Sequence, residues 1–291
     1  MRRNWQNENK RRRMLVNSRS FVVSIVLAAA VSSAVAISAQ TRGQVTTEQP
    51  VRPSAQSITG AFEGWYQNPD GTFSLLMGYF NRNSGETLEI PVGPNNRIEP
   101  GPAGQGQPTT FLPRRQWGVF RIVVPRDFGT KKLTWTIVAN GQTTSIPMSL
   151  NPLWVVEPLK DAGNGNTPPV LKFEPNGASL TGPPQGIART LSAKVAEPLA
   201  LTLWVSDDKP PRGGRGLGGS VFWSKFRGPG EVAFENARPT PDPEGKATTS
   251  AKFAAPGEYI LRAQANDATG DGGGGFQCCW TNAHVKVTVT P

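Results

Sequence analysis

Few residues in this sequence can do chemistry. It has one histidine, His284, and two cysteines, the adjacent Cys278 and Cys279. A tetrahedral zinc site needs three or four His, Cys or carboxylate ligands, and a His-dependent triad needs its base beside a nucleophile. This supply is too small for either. Adjacent side chains on a strand point to opposite faces, so the two cysteines are poorly placed to share one metal. In an oxidising compartment they form a vicinal disulfide, pair with another chain, or stay reduced with one buried. A nucleophilic cysteine would need His284 as its base, and extended chain between them keeps the two apart.

Four acids, Asp207, Asp208, Asp267 and Asp271, fall near the ends of strand-like runs. Hard carboxylate oxygens suit Ca²⁺, the one cofactor these residues suggest. Solvated turn aspartates account for them better, because no spaced ligand motif is present. Gly214–Gly219 and Gly270–Gly275 both match G-x-G-x-x-G. That pattern carries meaning only after a strand and at the start of a helix, and no helical period follows either copy. Both read as loops. Arg212–Arg215 holds a single RGG element, too little to bind RNA.

Aromatic residues crowd the first half of the chain: Trp65, Tyr66, Phe73, Tyr79, Phe80, Trp117, Phe120 and Trp135. Trp135 alternates with Leu133 and Ile137, which predicts a core position. Trp65 and Tyr66 are adjacent, so one of them faces outward. Tyr66, Trp117 and Trp280 are the candidates for a ligand surface. No residue is assigned a catalytic role.

The elements that must position these residues are strands. Gly and Pro make up 59 of 291 residues, which suits many short strands joined by turns. The net charge of +10 is mostly a leader effect. Residues 1–39 carry seven basic side chains and one acid, leaving the remainder at +4. A nucleic-acid protein would carry its basic stripe on the folded surface. Here the basic run precedes an apolar one, Phe21–Ala36, with Ala34-Val35-Ala36 fitting the small-x-small cleavage rule. Residues 1–39 are therefore a signal peptide or an uncleaved signal anchor. Lys10–Leu15 loosely resembles a twin-arginine signal.

Residues 40–57 are polar and aperiodic and read as a disordered tether. Residues 58–157 then read as a β-sandwich of about seven strands, with Asn68-Pro69-Asp70-Gly71 as a turn and residues 93–108 as a long Gly/Pro loop. Asn140-Gly141, between two strand-like runs, is a hairpin signal because both turn positions need positive φ. Residues 158–169 read as a linker. Residues 170–291 form a second strand series, in which Leu199, Leu201, Leu203 and Val205 share one face, as do Val285, Val287 and Val289. The fold class is all-β, with two tandem immunoglobulin-like sandwiches.

The second series resembles the PKD-type and related immunoglobulin-like domains of bacterial exported proteins. The residues that carry this are Phe222–Lys225 followed by Gly228-Pro229-Gly230, Val232–Phe234, Phe253–Tyr259, Leu261–Asp267 and Val285–Val289. The resemblance implies a sandwich and no particular ligand. It places Trp223 in the core and makes Tyr259 the residue of a tyrosine corner. The insertions at Asp207–Gly219 and Thr269–Trp280 depart from the pattern. If strand order sets them at one end, they form a binding surface.

The expectation is an exported, non-catalytic binding or structural protein of the cell envelope or extracellular space. Its partner is an envelope protein or polysaccharide, with no nucleic acid. Membrane contact comes only through the N-terminal segment, if residues 21–39 stay as an inner-membrane anchor. The alternatives are a carbohydrate-binding module protein or an accessory subunit of a secreted hydrolase.

Overall fold

The structure, a computed structural model, describes residues 52–157, 165–207, 220–267 and 279–291. All of them fall within one compact unit, Val51–Pro291. The expected signal segment, residues 40–51 of the tether, residues 158–164 of the linker and most of both insertions lie outside the described residues. So do Asp208, Asp271 and Cys278.

The first strand series holds eight strands: β1 (Ile58–Gln67), β2 (Phe73–Asn81), β3 (Leu88–Glu89), β4 (Asn96–Glu99), β5 (Thr110–Phe111), β6 (Arg114–Val124), β7 (Leu133–Ala139) and β8 (Gln142–Met148). A single 3-10 turn, Pro152–Trp154, comes after them. The sheets run β1-β2-β6, β4-β7-β8 and β3-β5. Between them lies a core containing Leu75, Met77, Tyr79, Phe111, Phe120 and Trp135. Asn140 and Gly141 have φ of 48° and 75°, the two positive values the β7–β8 hairpin demands. Gly71 N–H donates to the Asn68 carbonyl at 2.9 Å, closing the turn expected there.

Order begins before Ile58. Gln56 N–H donates to Asn83 Oδ1 at 2.6 Å, and the Gln56 carbonyl accepts from Asn140 Nδ2 at 2.8 Å. The span 93–108 is not all loop either, because β4 lies within it and pairs with β7. Asn96 is the reason. It is fully buried, donates to the carbonyls of Ile90 and Pro108, and accepts from the Trp135 indole at 3.0 Å. A strand organised by a buried amide carries no hydrophobic period.

The second series is β9 (Val170–Lys172), β10 (Ile187–Lys194), β11 (Leu199–Ser206), β12 (Ser220–Arg227), β13 (Val232–Phe234), β14 (Lys246–Phe253), β15 (Gly257–Asn266) and β16 (Trp280–Thr290). Its sheets run β9-β11-β14-β13 and β12-β15-β16-β10. In immunoglobulin lettering these are A-B-E-D and C-F-G plus a split first strand, so strand order alone establishes an immunoglobulin-like sandwich. β10 pairs with β16 in parallel, as that split first strand must. Trp223 is 1% exposed and sits in the core with Leu203, Leu261 and Val285. Tyr259 Oη donates to the Ala255 carbonyl at 2.8 Å, forming the tyrosine corner. Residues 165–169 pack against this sandwich, with Asn166, Pro168 and Pro169 buried.

The corner bond fixes the entry to β15. Tyr259→Phe keeps the ring and removes the hydroxyl, so it should lower unfolding free energy by about 1 kcal/mol. Urea denaturation of the two proteins measures this. Equal midpoints would show that the bond contributes nothing.

Candidate functional site

Alternation predicts one buried face for β15 and β16. The inner residues, Tyr259, Leu261, Ala263, Val285 and Val287, are indeed buried. The outward residues Arg262, Gln264, Trp280, Asn282 and His284 are also buried, each at 7% exposure or less. The first sandwich covers this outward face, chiefly through β6 and the residues around it.

The site starts from two irregularities in the first sheet. In β1 the register with β2 slips between Phe62 and Gly64, so Glu63 is an extra residue in a bulge. In β6 the register with β2 slips opposite Gly78. Glu63 is turned to the outer face, where its carboxylate accepts from Arg115 Nη2 at 2.8 Å and from Gly118 N–H at 2.8 Å. Gly78 leaves the room for this pair, because a side chain there would overlap the Glu63 carboxylate and the Arg115 guanidinium. The same guanidinium lies 3.8 Å from the centre of the Trp117 ring.

The second sandwich closes over this cluster. Arg262 Nη1 donates to Gln116 Oε1 at 3.0 Å, while its other nitrogens reach Asn282 Oδ1 at 2.8 Å and Gln264 Oε1 at 2.7 Å. Asn282 Nδ2 donates to the Gly118 carbonyl at 3.0 Å. Gly118 has φ of 49°, and a β-carbon there would overlap the Trp280 indole. The His284 ring lies tilted against Phe226, with ring centres 4.3 Å apart, and hydrogen-bonds the Val119 backbone. Phe226 itself belongs to the first core. At the rim, Lys225 pairs with Glu89 at 2.9 Å.

Burial sets the electrostatics. Loss of solvent pushes the Glu63 carboxyl up to about 7, against the opposing pull of Arg115 and the Gly118 N–H. Burial pushes His284 down to about 3, and the Arg262 charge acts in the same direction. His284 is thus neutral near pH 7 and serves as a packing residue.

The fold scatters the residues that the sequence singles out. Trp280 is 1% exposed, so it is a seam residue and not a ligand surface; its outward position on β16 faces Gly118 instead of water. Trp117 and Tyr66 are both partly buried. Tyr66 Oη lies 3.4 Å from Arg121 Nη1. The sheet does not bring these two rings together: Tyr66 stands opposite Ser74, which stands opposite Val123, six residues along β6 from Trp117. That offset is about 20 Å of strand. Asp267 is buried and accepts from Asn166 Nδ2, and Asp207 is partly buried. Among the described residues no three His, Cys, Asp or Glu side chains cluster as metal ligands. Cys279 has φ of 73°, is disulfide-bonded, and accepts from Asn166 Nδ2 at 2.9 Å. The chain's other cysteine is its neighbour, Cys278. Glu63, Arg115, Arg262 and Asn282 are not singled out by motif or spacing. The available signal was the run of amide and guanidinium groups at outward positions of β15 and β16.

This geometry makes mutation and pH informative. Gly118→Ala places a methyl against Trp280 in a left-handed conformation and should cost about 2–4 kcal/mol by denaturation. The pH terms oppose one another. The raised Glu63 keeps a proton that the unfolded chain loses, so its term lowers stability as pH rises from 4.5 to about 7. The depressed His284 refuses a proton that the unfolded chain takes, so its term lowers stability as pH falls from 6.5 to about 3. Between pH 4.5 and 6.5 they offset each other. Glu63→Gln should therefore make stability rise with pH across that window relative to the parent, as read from thermal midpoints. Parallel curves would refute the assignment.

No protein-family model matches the chain, and no curated protein matches it. Among solved structures it is similar to the D00-D0 domain of intimin, at 12% identity over 81% of this chain and 100% of that one, with a TM-score of 0.26. It is also similar to domains 4 and 5 of the S-layer protein SbsC, at 14% identity over 60% of this chain and 71% of that one, with a TM-score of 0.24. A third is the Yersinia pseudotuberculosis adhesin InvE, at 8% identity over 81% and 60% of the two chains, with a TM-score of 0.25. Likeness at this level carries no functional weight, and the immunoglobulin-like assignment rests on strand order.

Proposed function

We propose that this chain is an exported, non-catalytic binding or structural protein of the cell envelope, whose second sandwich is of PKD type. The observation that carries this reading is the buried seam. It spends side chains on fixing one sandwich against the other. Arg262, Asn282 and His284 each commit a polar group across it, and Glu63 holds the Gly118 backbone that they meet, so the seam acts as a rigid mount.

The mount also decides what is presented. Ser220 pairs with Asn266, and Asn266 with Trp280, so the strand ends that carry the two insertions stand side by side. In an immunoglobulin sandwich these are the B–C and F–G connections, which share one end. Trp117 adjoins Gly118, and Gly118 contacts Trp280, one residue from the root of the second insertion. A vicinal Cys278–Cys279 disulfide would stiffen the root, and the partner would be an envelope protein or polysaccharide met by the insertions. The basic and apolar N-terminal segment supports export.

The test is retention of the full chain on envelope fractions and on purified envelope polysaccharides. A variant with residues 208–219 and 268–277 replaced by short Gly-Ser turns is run alongside. Saturable retention of the parent and loss in the variant is the expected result. Equal retention of both, or of neither, would remove the insertions from the function.

A further inference from the structure

A second site lies on the side of the immunoglobulin-like sandwich, and its lining residues belong to neither insertion. It arises from how the first strand is divided. β9 pairs with β11 only at Trp204, Val205 and Ser206. Glu174-Pro175-Asn176-Gly177 then turns the chain, with Gly177 N–H donating to the Glu174 carbonyl at 3.0 Å. The chain crosses to the other sheet and resumes as β10 beside β16. Among the described residues, no strand covers Leu199–Leu203 of β11 on that side.

The uncovered flank holds two adjoining clefts of about 320 and 370 Å³. Phe173, Glu174 and Arg189 line both, so together they make one groove across the crossover. Trp204, Thr202 and Lys246 line one end, and Thr190 the other. Trp204 and Phe173 are partly buried, so each is partly open to solvent. Lys246 Nζ lies 5.8 Å from the Trp204 ring centre. Arg189 Nη1 sits 3.5 Å from Glu174 Oε1, with both side chains reaching solvent. Trp223 lines the groove at 1% exposure, and its indole N–H has no partner among the described residues.

We infer that this groove binds a short stretch of an acidic polysaccharide. Aromatic rings suit the C–H faces of sugar rings. A guanidinium, a carboxylate and threonine hydroxyls suit sugar hydroxyls, which both donate and accept. Two cations against one carboxylate favour a ligand bearing carboxylates of its own. Each cleft is at the small end of ligand sites, and two in line fit successive rings better than one compact metabolite. An added peptide strand would call for alternating apolar pockets along the β11 edge. This groove offers ring faces interleaved with charges and hydroxyls instead.

The test titrates the full chain with tetragalacturonate, with neutral cellotetraose and with an alternating Val-Thr peptide, by calorimetry and tryptophan fluorescence. Tetragalacturonate should bind and perturb the fluorescence. Trp204→Ala should weaken it at least about tenfold. Lys246→Gln changes an exposed side chain and should weaken it several-fold with an unchanged melting temperature, and Arg189→Gln, which also gives up the bond to the Phe173 carbonyl, should weaken it several-fold too. Binding of the peptide alone, equal binding of the neutral chain, or no saccharide binding at millimolar concentration would overturn the inference. So would normal affinity in the two charge variants. Replacing the insertions leaves every one of these lining residues in the sequence, so the two proposals fail separately.

Discussion

Everything in this structure depends on how Glu63 and Arg262 are kept out of water. Burying an ion costs several kcal/mol unless its partners are complete. Here Glu63 meets Arg115 and the Gly118 amide, and Arg262 meets three side-chain oxygens from two sandwiches. Removing a partner takes a bond away from a buried polar group. Hydrogen bonds of set length and direction therefore define the geometry of the seam. The bulge at Glu63 and the glycines at 78 and 118 make sense only as provisions for that geometry.

The seam also limits function. The part of the outward face of β15 and β16 that carries Arg262, Gln264, Trp280, Asn282 and His284 is covered by the first sandwich, so it is closed to partners. The end carrying the insertions and the flank left open by the divided first strand both lie outside the seam. Both are surfaces of a fixed body, and rigid mounting lowers the ordering cost of binding.

Much of the fold was legible in the residues. Period-two alternation located β11 and the later half of β16, Asn140-Gly141 located a hairpin, and Phe253–Tyr259 carried the corner. The seam was less so, for a physical reason. Hydrophobic alternation reports burial by apolar side chains and is silent where polar groups are buried by bonding to one another. Along β16 the outward residues run Trp280, Asn282, His284 and then Lys286, Thr288, Thr290. The first three are buried, and the last three are only partly buried or exposed. That change of chemistry marks where the neighbouring sandwich ends. The same silence hid β4, whose anchor is Asn96, and made Trp280 look like a surface ring.

The claim that two sandwiches behave as one body is best tested by calorimetry of the full chain near pH 7. A shared seam of buried, hydrogen-bonded polar groups predicts a single transition, with calorimetric and van't Hoff enthalpies in agreement. Two resolved transitions, one for each sandwich, would contradict the account.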